Sequence, residues 1–228
     1  MKLIKRLLDF ILSLIAVVVL SPLLIVIAII IKCDSKGPII FKQNRITKAG
    51  KVFTIFKFRT MVENAEKMGT GLFSYEGDSR ITKFGHFLRK TSLDELPQLL
   101  NIIIGNMSIV GPRPPVSYEL GDYMDLNEEY KKRFTVLPGV TGLAQITGRN
   151  ELPWDEKVKY DNEYIDLFKK YGIFLDLKII LLTIIRVFKK TDIVEARNEK
   201  FAGLSDEEIA KRTAEEIAKK ARSSKNNY

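Results

Sequence analysis

The chain has 228 residues, 46% hydrophobic and 29% charged, which is enough for one compact domain plus extra segments and excludes wholesale disorder. Its net charge of +9 suits phosphorylated substrates, anionic lipid or nucleic acid without choosing among them. One cysteine, Cys33, and one histidine, His86, exclude an internal disulfide, a His-rich metal cluster and most His-dependent nucleophilic schemes. Carboxylates, lysines and arginines must therefore carry any chemistry, and a metal site would be oxygen-rich, favouring magnesium or calcium.

From Phe10 to Ile31 the chain runs 22 residues without a charge, long enough for a helix to cross a bilayer core. No cleavage signal follows, so the segment reads as an anchor and not as a removed leader. Ser21-Pro22 lies in its middle. Pro22 has no N–H for the Val18 carbonyl, which needs another partner in lipid, and the Ser21 hydroxyl is placed to supply it. Lys2, Lys5 and Arg6 precede the segment, and Lys32, Lys36, Lys42, Arg45, Lys48 and Lys51 follow it. Basic residues thus mark both ends as cytoplasmic. A re-entrant helix-break-helix accounts for both facts, and a kinked spanning helix stays equally open on pattern alone. Asp9 reads as structural, paired with Lys5 or Arg6.

Residues 38–43 are a strand candidate, Ala49-Gly50-Lys51 a hairpin turn, and residues 52–58 a second strand. Residues 62–68 predict a helix and residues 69–79, with three glycines, a mobile loop able to close on substrate. The Leu93, Leu96, Leu99, Leu100 and Ile103 spacing predicts a helix over 92–104, opened by a Ser92/Glu95 capping box. Gly111-Pro112-Arg113-Pro114-Pro115 must be a rigid loop. Residues 117–133 predict a helix, 138–142 a turn-rich loop, and 155–171 another helix. Residues 175–188 are strongly apolar yet too short to span; they suit a membrane interface or a buried core equally. Residues 205–228 read as a solvated helical tail.

Asp94-Glu95 is the first candidate for chemistry. Acids in a first helical turn are ordinary dipole partners, but at a helix N-terminus one carboxylate could attack phosphorus while the other holds magnesium. Lys57, Arg59, Arg80 and Arg113 are candidate phosphate ligands, Arg113 held between prolines. Gln145 and Arg149 follow a glycine-rich turn.

These residues, taken in order, resemble a known family. Lys5-Arg6 with Asp9, Ser21-Pro22, Gly37-Pro38, Gln43-x-Arg45, Lys57-Phe58-Arg59-Thr60-Met61, Asp78-x-Arg80-x-Thr82, Ser92-Leu93-Asp94-Glu95-Leu96-Pro97-Gln98-Leu99, Gly111-Pro112-Arg113-Pro114, Pro138-Gly139-Val140-Thr141-Gly142, Gly148-Arg149-Asn150 with Trp154, and Asp176-x-Lys178 are similar to the monotopic phosphoglycosyl transferases over residues 1–190. The resemblance implies a re-entrant membrane helix broken at Ser21-Pro22, Asp94 as nucleophile, and Glu95 (with Asp94 beside it) as the magnesium site. Lys57, Arg59, Arg80 and Arg113 would bind substrate phosphate, with Gln145, Arg149 and Asp161 lining the site. It implies a UDP-sugar and polyprenol (undecaprenyl) phosphate as partners, inner-membrane lipid around the anchor, no nucleic acid, and a place on the cytoplasmic face of a bacterial inner membrane. Nothing in the residues speaks for or against self-association. Glu199-Lys200-Phe201-x-Gly203 is similar to members using an N-acetylated amino sugar. Pattern and resemblance together give a mainly α fold with a small β-hairpin element. The anchor would be 1–33, packed on a compact cytosolic catalytic domain, 34–190, with interfacial amphipathic helices, followed by a C-terminal extension, 191–228. A basic binding protein would need no carboxylate pair, and a phosphoester hydrolase would need no lipid acceptor.

Overall fold

The apolar N-terminal segment forms one helix, α1 (Lys2–Asp34), with Pro22 inside it. The computed structural model of the protein describes residues 2–65, 68, 78–148 and 152–189. The Ser21 hydroxyl donates to the Val18 carbonyl at 2.8 Å, the group that Pro22 leaves without a backbone partner. The serine supplies the missing bond, and helical structure continues through the proline.

Both ends of α1 are fastened to the same domain. Near its start, Lys5 pairs with Asp176 at 2.6 Å, Arg6 donates to the Ile103 and Met107 carbonyls, and Asp9 accepts from the Ser108 hydroxyl at 2.6 Å. Asp9 also lies 3.8 Å from Lys5, so its structural reading holds. At the far end Ile27 and Ile31 are buried against Phe58 and Leu88. Between these anchors most side chains are large, apolar and exposed, Val18 and Val19 among them.

The hairpin forms as the sequence indicates. Strands β1 (Ile40–Ile46) and β2 (Val52–Phe58) pair antiparallel, and Ala49 and Gly50 turn the chain with φ of 58° and 74°. Residues 63–64 are a turn instead of the expected helix, because Asn64 takes φ 62°, and Ala65, whose carbonyl accepts from the Met68 N–H, begins a 3-10 turn. The loop expected over 69–79 lies mostly outside the described residues, as do the tail and Glu199-Lys200-Phe201.

The single helix expected over 92–104 is divided. Helix α2 (Lys83–Thr91) ends on Ser92, which adopts a left-handed φ of 57°, and a short 3-10 turn over Leu93–Glu95 leads to α3 (Gln98–Ile104). Ser92 in that conformation makes no side-chain cap, so the capping box does not form. Asn101 on α3 is fully buried. Its amide donates to the Thr54 carbonyl at 2.8 Å and its Oδ1 accepts from the Phe56 N–H at 2.9 Å, closing the otherwise open edge of β2. Asn101→Ala would strand both backbone groups. Its expected cost is about 2–4 kcal/mol, read as a Tm lower by roughly 5–15 °C, with Asn101→Asp intermediate because it keeps only the acceptor.

Residues 138–142 are more than a loop: β4 (Gly139–Thr141) pairs in parallel with β3 (Ser108–Val110). The helix expected over 117–133 shrinks to α4 (Glu128–Lys132), since Gly121 at φ 78° turns the chain and Asn127 caps the short helix. After α5 (Leu143–Thr147), α6 (Trp154–Tyr171) and α7 (Ile173–Lys189) follow as expected. Helix α7 buries Ile179 and Asp176 while Phe174, Leu177, Leu181 and Ile184 stay exposed, so it carries a second apolar face beyond the one the core uses.

Candidate active site

Strand β2 ends beside the 3-10 turn and delivers Lys57 to Asp94-Glu95. The Lys57 ammonium lies 2.9 Å from Glu95 Oε1, and Arg113 reaches the same oxygen at 3.1 Å. Arg113 stands on a loop whose carbonyls from Pro112 to Pro115 are all engaged. The Pro112 carbonyl accepts from the Gly139 N–H, that of Arg113 from the Arg133 guanidinium, that of Pro114 from Arg45, and that of Pro115 from the Ile46 N–H. The prolines fix φ and the four bonds fix the carbonyls, so the arginine is aimed before any ligand arrives.

The two neighbouring carboxyls differ sharply. Burial pushes Asp94 up to about 6, against the charges of Lys57 and Arg89. The Asp94 carboxylate makes no hydrogen bond to another described residue. Burial also opposes ionisation of Glu95, but Lys57 and Arg113 more than offset it and hold that carboxyl well below the usual range. Burial lowers Lys57 from its ordinary value while Glu95 acts against the shift, and Glu95 raises Arg113. The result is one carboxylate locked in a cation bracket and a second, unpaired and easily desolvated, at its side.

The described residues contain no group of three or more metal-ligating side chains. Two adjacent carboxylates still fit magnesium, which keeps waters and substrate phosphates among its ligands and takes only one or two carboxylates from protein. Glu95 spends only Oε1 on Lys57 and Arg113. Because the pair sits on a 3-10 turn before a seven-residue helix, the expected helix N-terminus has no part in the site.

The sequence of the bacterial sugar transferases, as a family, matches residues 1–190. The chain belongs to the bacterial sugar transferase family. It is similar to UDP-glucose:undecaprenyl-phosphate glucose-1-phosphate transferase of Klebsiella pneumoniae, 46% identical over 81% of this chain and 40% of that protein. It is also similar to UDP-N-acetylgalactosamine-undecaprenyl-phosphate N-acetylgalactosaminephosphotransferase of Aeromonas hydrophila, 38% identical over 79% of this chain and 43% of that protein. The uncharacterized sugar transferase EpsL of Bacillus subtilis is 38% identical over 89% of this chain and 97% of its own length. The chain thus spans about two fifths of the curated relatives it matches at the highest identity.

In this sugar transferase, Lys57, Asp94, Glu95 and Arg113 come together as expected from the sequence. Arg59 and Arg80 are placed otherwise. Arg59 is 5% exposed and donates to the Ser35 carbonyl at 2.6 Å and to the Ser35 hydroxyl, closing the C-terminal end of α1. Arg80 forms a two-pronged pair with buried Asp78 and donates to the Ala65 and Met68 carbonyls. Neither hydrogen-bonds to Asp94 or Glu95: Arg59 spends Nη2 on the end of α1 while its Nε and Nη1 stay buried without a partner, and Arg80 is turned toward Asp78 and two carbonyls. Gln145 lies on α5 against Gly142, both ends of its amide buried without a partner. Asp161 is 1% exposed and pairs with Arg133 at 2.9 Å, behind the Arg113 loop and not in front of it. Arg149 lies outside the described residues. Sequence reasoning missed Arg133, Arg89 and Asn101; no motif singles them out, and an arginine next to Phe134 reads as surface until its carboxylate partner, 28 residues away, is seen.

Proposed function

We propose that this protein transfers a sugar 1-phosphate from a UDP-sugar to polyprenol (undecaprenyl) phosphate, releasing UMP and giving a polyprenyl-diphospho-sugar. The observation that carries the reading is the asymmetric carboxyl pair: Asp94 unpaired beside Glu95 bracketed by Lys57 and Arg113. The names of the relatives, which are undecaprenyl-phosphate sugar phosphotransferases, supply the donor and acceptor classes.

An Asp94 carboxylate oxygen attacks the β-phosphorus of the donor. The bond from that phosphorus to the α–β bridging oxygen breaks, and UMP leaves with the oxygen. The sugar phosphate is then held as an acyl phosphate on Asp94. An oxygen of the lipid phosphate attacks the same phosphorus, the bond to Asp94 breaks, and the carboxylate is restored. Both nucleophiles are anions, so no proton is removed and no histidine is required. Lys57 and Arg113, already gathered on one oxygen of Glu95, offer charge to the phosphates as the donor arrives. Asp94 and Glu95 would hold a magnesium ion, whose chemistry is neutralising phosphate charge.

The reading also places the protein on one side of a membrane. Lys5 near the start of α1 and Ile31 near its end are both bonded to or packed on one domain. A helix crossing a core of about 30 Å would leave its ends on opposite faces. The exposed apolar side chains of α1, with Leu100 and Ile104 of α3 and Phe174, Leu177 and Leu181 of α7, suit a re-entrant anchor and interfacial helices on the cytoplasmic leaflet.

Intact mass measured after mixing detergent-solubilised protein with magnesium and UDP-glucose, UDP-galactose, UDP-N-acetylglucosamine or UDP-N-acetylgalactosamine tests the proposal. One donor is expected to add the mass of its sugar phosphate, and polyprenol phosphate to remove it. EDTA is expected to prevent the adduct. The resemblance of Glu199-Lys200-Phe201-x-Gly203 to members using an N-acetylated amino sugar points to an N-acetylated donor. UMP release with no adduct even under rapid quench would overturn the covalent step, and neither product with any donor would overturn the transferase reading.

A further inference from the structure

Arg133 is 2% exposed and lies behind the carboxyl pair, yet it is wired to it through the Arg113 loop. Its Nη2 donates to the Arg113 carbonyl at 2.7 Å. Its Nε and Nη2 meet Asp161 Oδ2 at 3.0 and 2.9 Å. Its guanidinium lies 4.9 Å from the Trp154 ring and 5.3 Å from that of Phe134. Trp154, Val158 and Asp161 share one face of α6, so a single helix supplies both the ring and the carboxylate. Of the four loop carbonyls, this is the one on the residue that reaches Glu95, and like that of Pro114 it is met by an arginine side chain.

We infer that Arg133, held by Asp161 and Trp154, is a positioning residue that fixes the direction in which Arg113 presents its guanidinium to the donor phosphates. The inference rests on the phosphotransfer reading above. Burying an arginine here is a poor way to gain stability, since Nη1 finds no partner and a buried pair is commonly no better than apolar packing. Its geometry is what an apolar side chain could not reproduce. Planar Arg133 serves a carboxylate, a carbonyl and two ring faces at once, and a lysine cannot.

The test is a double-mutant cycle on kcat/KM for UMP release. Arg133→Lys is expected to lose on the order of 10²-fold, as misplacement of a binding group by about 1 Å does. In an Arg113→Ala background the same change is expected to cost less than about threefold, since what it positions is gone. Equal losses in both backgrounds would overturn the inference and make Arg133 a packing residue. Should Arg133→Lys fold poorly, Asp161→Asn, which still accepts from Arg133, is run through the same cycle.

Trp154 is the only tryptophan, so its emission reports the stack without turnover. Inorganic pyrophosphate with magnesium is expected to change that emission saturably in the wild type and not in Arg113→Ala. Pyrophosphate binding seen by calorimetry with unchanged emission would overturn the coupling. A wild type that binds pyrophosphate with this change but releases no UMP from any UDP-sugar would overturn the functional reading alone, and one that binds no pyrophosphate would overturn both.

Discussion

Asp94→Asn is expected to form no sugar-phosphate adduct and to lose on the order of 10⁴-fold or more of UMP release, measured by intact mass and by product formation. The amide keeps the size and position of the carboxyl and removes only the nucleophilic oxygen. The same variant is expected to be more stable than the wild type at neutral pH. Burial raises Asp94 from 3.8 to about 6, so the folded protein binds a proton that the unfolded chain has already lost between those values. Stability is therefore full below about pH 4 and falls as pH rises through about 6. Asn escapes that loss. In EDTA-containing buffer, thermal melts should coincide below pH 4 and diverge above pH 6, with Asn ahead by about 1–3 kcal/mol. Coincident melts at pH 7.5 would show that Asp94 is not held in an unfavourable ionised state.

Asp78→Ala is expected to be strongly destabilising. Asp78 is 1% exposed and accepts from Arg80 Nε at 2.9 Å, Arg80 Nη2 at 2.7 Å and the Arg80 N–H at 3.0 Å. Burial raises Asp78, but the Arg80 bonds more than offset this and bring it below its ordinary value, so the pair stabilises the fold near neutrality and the contribution is lost on acidification. Removing the carboxylate takes away the Arg80–Asp78 hydrogen bonds in a buried setting, at an expected cost of about 3–5 kcal/mol and roughly 6–20 °C in Tm. Replacing both partners with Met and Leu should recover part of it. For the fraction of Arg80→Lys that folds, KM for the donor is expected to stay within about threefold of wild type; a tenfold rise would return Arg80 to the phosphate site.

The carboxyl pair and the proline-held arginine were legible because their neighbours in sequence give them away. Asp94 and Glu95 stand together, and three prolines around Arg113 permit nothing but a fixed loop. The hairpin, α6 and α7 were legible for the same reason: turn residues and apolar spacing are local signals. Where a local signal had to compete with a tertiary one, reading along the chain went astray. Ser92 and Glu95 spell a helix start, but Ser92 in a left-handed conformation closes α2, and the turn it makes is what swings Asp94 out of a helix and beside Lys57. Residues 139–141 look like a turn because of Pro138, Gly139 and Gly142, and they become a strand because Gly139, with no Cβ, admits the close approach of Gly111.

The charged residues divide along the same line. An arginine's sequence neighbours say that it is available, not to what. Arg59, Arg80 and Arg113 look alike along the chain, and only the tertiary structure commits the first to the C-terminal end of α1, the second to Asp78, and leaves the third facing Glu95. Sequence alone determined that this protein carries a long apolar segment with a proline inside it, a strongly basic balance, and one histidine against many carboxylates. Which cations meet the carboxylates was decided by contacts between residues tens of positions apart, whose electrostatics depend on burial, a property that no single stretch of chain possesses.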